Sequence, residues 1–246
     1  MKKLLKRTVI GIAALVGIGT ISVLMISQKY PDGNSPAKAD AMAKKMLDAL
    51  DKDGFDTLKY LAWNFADRQS YLWDKQGNKA IVKWDNIEVL LDLDNQNGDV
   101  LVDGNIQQEG EKSEYLAKAW SLWCNDSFWM IAPFKVFDPG TTRLIVNDDG
   151  KEGLMIKYDG GGVTPGDSYL WFLDENDTPT GYKMWLSIIP VGGAYASWDN
   201  WIKLPCGAKV SQTHEMKVFT LQIKDVKEGS SYADFGYSED PFVLLN

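Results

Sequence analysis

From Tyr60 onward, short apolar runs change sides at every second residue, and a chain built of such runs has to pair them into antiparallel sheets. Leu61, Trp63 and Phe65 share one parity, with Tyr60, Ala62 and Asn64 on the other. Tyr71 and Trp73, then Ala80, Val82 and Trp84, then Ile87, Val89, Leu91 and Leu93 repeat the pattern. Successive side chains of a strand point to opposite faces, so each set marks one buried face. Polar turns at 67–68, 75–78, 85–86 and 95–99 separate the runs, which is the spacing of a meander whose sequence neighbours are also spatial neighbours. The same grammar resumes later, with strands expected at 143–146, 154–158, 168–173, 181–188, 196–204, 209–214 and 217–224. Tyr169 and Trp171 fall on one face of the third of these. About eleven or twelve strands are too many to lie flat, so the sheet is expected to curl.

Two helices interrupt the strands. The first is expected over 40–52, where Met42, Met46, Leu47 and Leu50 make one apolar face and Gly54 ends the helix. The second is expected over 112–123 and divides the strands into two sets. Its Leu116, Ala119, Trp120 and Trp123 recur at helical spacing, opposite Glu111, Lys112, Glu114 and Lys118. That stripe has to lie on the sheet, either as a plug in the core of a sandwich or as a lid on the mouth of a half-open barrel. The run that follows, Asn125 to Lys135 (NDSFWMIAPFK), reads as an apolar-rich turn in which Pro133 blocks further helix. Residues 227–246 show no firm period and read as a loosely docked or partly disordered tail.

At the amino terminus, Lys2, Lys3, Lys6 and Arg7 precede an uncharged apolar run from Val9 to Ile26. Eighteen residues at about 1.5 Å each nearly cross a hydrocarbon core, and a secretory signal would be shorter, about 7 to 15 apolar residues. The reading is an uncleaved anchor or signal segment over 1–28, a linker over 29–39, one β domain over 40–226 and the tail. Whether the segment is kept or cut, the basic side stays inside and the rest is exported. The domain is then extracytoplasmic, tethered to the inner membrane, or secreted if the segment is removed. In that compartment Cys124 and Cys206 either form a disulfide or remain buried thiols.

The formal charge of -8 argues against nucleic acid as a partner, which would need a basic stripe. Enzyme signatures are missing as well. His214 is the one histidine, no G-x-S-x-G elbow is present, and a lone imidazole is more often structural than catalytic. The acidic pairs Asp92 with Asp94 and Asp148 with Asp149, and the run 174–177, sit in turns without the order of a calcium loop. Gly160-Gly161-Gly162 opens no helix and has no lysine after it, so it is a turn rather than a phosphate cradle. No catalytic residue, metal or cofactor is expected. Trp198 and Trp201, beside Asp199 and Asn200, either stack on a carbohydrate or cell-wall glycan or seal a core edge.

An amino-terminal helix, a curved meander, an interposed helix and a second meander resemble the LolA-like superfamily of exported lipoprotein and lipid carriers. Local likenesses to an uncharacterised branch are Tyr71-Leu72-Trp73-Asp74-Lys75, the 125–135 run with Asp138-Pro139-Gly140-Thr141-Thr142, the turn 162–166 before Tyr169, and Trp198 to Trp201 before Leu204-Pro205. The resemblance covers about Asp40 to Lys224. It implies a mainly β, half-open barrel whose helices cover an apolar cavity for acyl chains, with a lipid or lipidated protein as partner and no chemistry. By strand parity the inward residues are Leu61, Trp63, Phe65, Tyr71, Trp73, Val89, Leu91, Tyr169 and Trp171, under a lid helix carrying Leu116, Trp120 and Trp123. Either they line that cavity or they fill one another's space, which would leave a protein-interaction module with a fully packed core. The carriers shuttle freely, whereas this chain reads as tethered, which suits a fixed receptor that meets an envelope protein partner.

Overall fold

The computed structural model describes residues 27–160, 162–188 and 191–245. The apolar run read as an anchor lies outside them, and among them no helix is long and apolar enough to cross a membrane. The meander is β1 (Tyr60–Phe65), β2 (Gln69–Asp74), β3 (Lys79–Trp84), β4 (Ile87–Asp92), β5 (Gly98–Val102) and β6 (Asn105–Ile106). A second set follows the central helix: β7 (Thr141–Asp148), β8 (Lys151–Tyr158), β9 (Ser168–Leu173), β10 (Pro179–Trp185) and β11 (Ala194–Ser197). The last three are β12 (Asp199–Lys203), β13 (Lys209–Glu215) and β14 (Thr220–Gly229).

These strands pair antiparallel into two open sheets, and no closed barrel forms among the described residues. One sheet has nine strands in the order β12-β13-β14-β1-β2-β3-β4-β5-β6, the other five in the order β11-β10-β9-β8-β7. Tight turns set the registers. Asp103-Gly104 and Asp149-Gly150 take positive φ at both positions, the two-residue geometry that matches the right-handed twist of hairpin strands, while β1 and β2 are joined by the three-residue loop 66–68.

The strand parities are as the alternation requires, but several element bounds differ, by a few residues at β7, β8, β10 and β14 and by more elsewhere. β5 and β6 extend the meander beyond the expected 95–99 turn; Val100 is the one buried residue of the two strands, too little to make a period. The run expected as a single strand over 196–204 breaks at Trp198, and its halves enter different sheets. Helix α1 (Pro36–Ala49) starts with proline in its first turn, where the missing N–H costs nothing. It gives way to α2 (Lys52–Thr57) at Asp51, whose φ of 56° breaks the helix and whose carboxylate caps α2 by accepting from the Gly54 N–H at 2.9 Å.

The central helix α3 runs over Glu109–Ile131, almost twice the expected span, and passes into a 3-10 turn over Ala132–Lys135 that accommodates Pro133. Asn125, Asp126 and Ser127 read as turn residues because their side chains compete for the backbone. Here each finds a partner within or beside the helix instead. Ser127 Oγ donates back to the Trp123 carbonyl at 2.6 Å, and Asn125 Nδ2 donates to Asp126 Oδ1 at 2.7 Å.

The main core lies between α3 and the inner faces of both sheets. α3 packs its first half over β3, β4 and β5, and its second half reaches β9, β10 and β13. The outer face of the meander is also occupied. Leu72, Ile81 and Leu90 pack around Phe242, which is fully buried, while Tyr232 Oη donates to Asp74 at 2.7 Å and Lys83 Nζ donates to Tyr237 Oη at 3.2 Å. The tail is therefore docked, by aromatic residues whose irregular spacing carried no period.

Candidate functional site

Where α3 leaves the meander it does not meet the second sheet flush, and a groove of about 630 Å³ remains. The helix supplies Trp120, Trp123, Cys124, Phe128 and Ile131; β9 and β10 supply Tyr169, Tyr182 and Met184. Leu186 and Ile188 continue the wall beyond β10, Tyr158 and Val163 close it opposite, and Trp73 and Leu93 bound its inner end. The lining is mostly apolar, with Asn78, Asn125, Thr164 and Asp138 among the polar groups along it. The volume falls in the range of about 300 to 1,000 Å³ in which small-molecule sites lie.

Aromatic contacts fix the walls. The Phe128 ring lies 4.8 Å from that of Tyr169 and 5.7 Å, edge on, from that of Tyr158. Trp129 sits 5.7 Å from Tyr182 and 5.2 Å from His214. Burial raises the phenol pKa of Tyr158, Tyr169 and Tyr182, so all three stay neutral as wall residues. The rim is tied by Asp167, a buried carboxylate that accepts from Thr164 Oγ1 at 2.6 Å and from the Ser187 N–H at 2.7 Å. It thereby links the turn before β9 to the segment after β10.

All nine residues expected to face inward do so. Leu61, Trp63, Phe65, Tyr71, Trp73, Val89, Leu91, Tyr169 and Trp171 belong to the same buried cluster. Only Trp73 and Tyr169 of the nine reach the groove. The others fill one another's space: Trp63 stacks on Tyr71 at 4.8 Å and meets Trp123 at 5.8 Å, and Trp171 lies between Tyr182 at 4.8 Å and Trp198 at 4.9 Å. Of the lid-helix residues, Trp120 and Trp123 line the groove, and Leu116 is half-buried against the core. Phe128, Tyr158, Met184, Leu186 and Ile188 were not anticipated. Phe128 sat within the apolar 125–135 run, which was the available signal.

The polar candidates have structural settings. His214 is fully buried between the rings of Trp129 and Trp198, and Nδ1 donates to the Ser197 carbonyl at 3.0 Å. Burial holds its pKa down to about 4. Cys124 and Cys206 are both free, so the disulfide weighed from the sequence is not formed. Cys124 belongs to α3 and Cys206 to the turn between β12 and β13, and burial pushes the Cys124 thiol up to about 11. Trp198 is 1% exposed and offers no face to a sugar; the Trp201 indole donates to the Trp198 carbonyl at 3.1 Å, and the pair seals a core edge. Among the described residues no group of three or more His, Cys, Asp or Glu could hold a metal ion.

No family model matches the sequence, and no curated protein matches it. Solved structures similar in outline include the following two. A DUF1329 family protein from Desulfovibrio piger is 11% identical with a TM-score of 0.41, over 83% of this chain and 99% of that one. A domain described as that of an outer membrane lipoprotein-sorting protein, from Vibrio parahaemolyticus, is 11% identical with a TM-score of 0.39, over 78% of this chain and 97% of that one. Likeness of that strength carries no argument about function.

Proposed function

We propose that the groove along α3 holds an acyl chain, and that the protein is a lipid- or lipoprotein-binding domain of the cell envelope that acts without bond chemistry. The observation that carries this reading is the groove itself: about 630 Å³ left unfilled beside a core otherwise packed ring against ring, with Phe128, Met184 and Leu186 in its walls. Moving an acyl chain between apolar surroundings needs matched burial alone, so no cofactor is called for. At roughly 30 Å³ for each water-sized group the groove has room for about twenty of them. That suits one long chain rather than the thirty or so methylenes of a two-chain lipid, each of which has to recover about 0.8 kcal/mol lost on leaving the bilayer. In this reading the two sheets and α3 act as a half-open barrel with the helix as its cover. The apolar run Val9–Ile26 tethers the domain outside the cytoplasm, where an envelope protein hands over or receives the lipidated ligand.

Native mass spectrometry of the full chain, gently extracted, tests the proposal. A co-purifying lipid mass is expected, and Leu186→Glu, at the edge of the groove, should remove it while the circular dichroism of the sheets persists. A wild-type chain that carries no lipid mass, and takes none up from added fatty acid, would overturn the proposal.

A further inference from the structure

Most large apolar side chains of the described residues are buried, and of the nine that are exposed three bear on how the groove is approached. Val218 and Phe219, at the tip of the β13–β14 hairpin, are 83% and 54% exposed, and Ile188, on the rim of the groove, is 71% exposed. The register shows that they lie toward one end of the molecule. Ala196 bridges Met216 antiparallel, so the chain leading back from Ala196 through Gly193 and Gly192 runs beside the chain leading on from Met216 into the hairpin tip. Met216 N–H donates to the Phe219 carbonyl at 2.9 Å, which folds the tip into a tight turn and leaves its two apolar side chains outside.

The same end is where the apolar run of the sequence joins the fold. Gln28 N–H donates to the Gly192 carbonyl at 2.8 Å, Gly192 N–H donates to Ser27 Oγ at 2.9 Å, and the Trp185 indole donates to the Gln28 carbonyl at 3.1 Å. Ser27 follows directly on Ile26, the last residue of the apolar run. The chain is thus pinned to the β10–β11 connection four residues from Ile188.

We infer that this end of the molecule, Ile188 with Val218 and Phe219, is a bilayer-docking surface that sets the mouth of the groove against the lipid surface. The inference rests on the proposed reading of the groove and of the apolar run, and adds the direction in which the groove opens. Exposed apolar side chains beside a chain exit are what an interfacial contact requires: each ring or branched chain that enters the headgroup boundary leaves water, and the tether removes most of the cost of bringing it there. The surface suits zwitterionic lipid. Lys217 is the one basic residue of the tip, and the chain as a whole carries a net charge of -8, which an anionic surface would repel. An acyl chain could then pass between bilayer and groove across the Ile188 rim without crossing bulk water.

The test places a photoreactive benzophenone side chain at Phe219, which lies outside the groove, in the full chain reconstituted into phosphatidylcholine vesicles. A second protein carries the same group at Ile106, an exposed apolar residue on edge strand β6. Crosslinking to phosphatidylcholine several-fold higher from 219 than from 106 is expected. Equal yields, or none from 219, would overturn the docking surface. Native mass spectra of the same preparations separate the two readings. A lipid mass without crosslinking at 219 leaves the groove intact and removes the docking surface, and crosslinking without a lipid mass does the reverse.

Discussion

Tyr71 Oη donates to Asp126 Oδ2 at 2.5 Å across the interface of β2 and α3, both residues being almost wholly buried. This bond joins the meander to the part of the central helix that borders the groove. Burial raises the Asp126 pKa against the opposing pull of the Tyr71 and Asn125 hydrogen bonds. A carboxyl with a raised folded pKa binds its proton more tightly in the folded state. Its contribution is therefore most favourable below the ordinary value of 3.8 and is lost as pH rises through the raised value. Asp126→Asn keeps an acceptor for Tyr71 and removes the charge. Urea unfolding should show its stability relative to wild type improving from pH 4 to pH 7. Tyr71→Phe, which leaves the carboxylate short of a partner, should cost about 1.5–3 kcal/mol at pH 7.

His214 shows the opposite dependence. Its folded pKa of about 4 lies below the ordinary 6.5, so the unfolded chain takes up the proton first as pH falls. Stability from this group is complete above about 6.5 and is lost between there and 4, by about 3 kcal/mol in all. Equilibrium unfolding at pH 7 and pH 4.5 should show that loss in wild type and a smaller one in His214→Gln.

Val89 and Leu186 separate packing from binding. Val89 is fully buried on the meander face beneath α3, so Val89→Asp places an unpaired charge in the core and should abolish cooperative melting. Leu186 is half-buried on the groove wall, and Leu186→Glu should leave the melting temperature within a few degrees of wild type while fatty-acid uptake is lost.

Phe242 holds the tail. Truncating a fully buried aromatic costs about 3–5 kcal/mol where the site cannot collapse, so Phe242→Ala should free the tail before the sheets melt. Hydrogen exchange should then quicken over 230–245, and in β2 to β4 at Leu72, Ile81 and Leu90, with the strands beyond them unchanged.

The sheet was legible because its signal is local. Leu61, Trp63 and Phe65, or Val89 and Leu91, declare their face by parity alone, and all of them are buried where parity puts them. The far half of α3 was not legible, because Asp126 and Ser127 look like turn residues until Tyr71 and the Trp123 carbonyl come within reach. The groove was legible least of all. Trp73 borders it and Trp63, ten residues earlier on the neighbouring strand, does not, although both are inward tryptophans of the meander. What separates them is where each strand position falls relative to α3 and both sheets, which no single stretch of sequence encodes.

Trp198 is the single residue between β11, in the five-stranded sheet, and β12, in the nine-stranded one. It is buried, with its N–H donated to the Thr180 carbonyl at 3.0 Å. A link one residue long leaves neither sheet any slack to drift from the other. The two layers are sutured at that point, so any parting of the sheets beside α3 has to hinge about Trp198 rather than open evenly along their length.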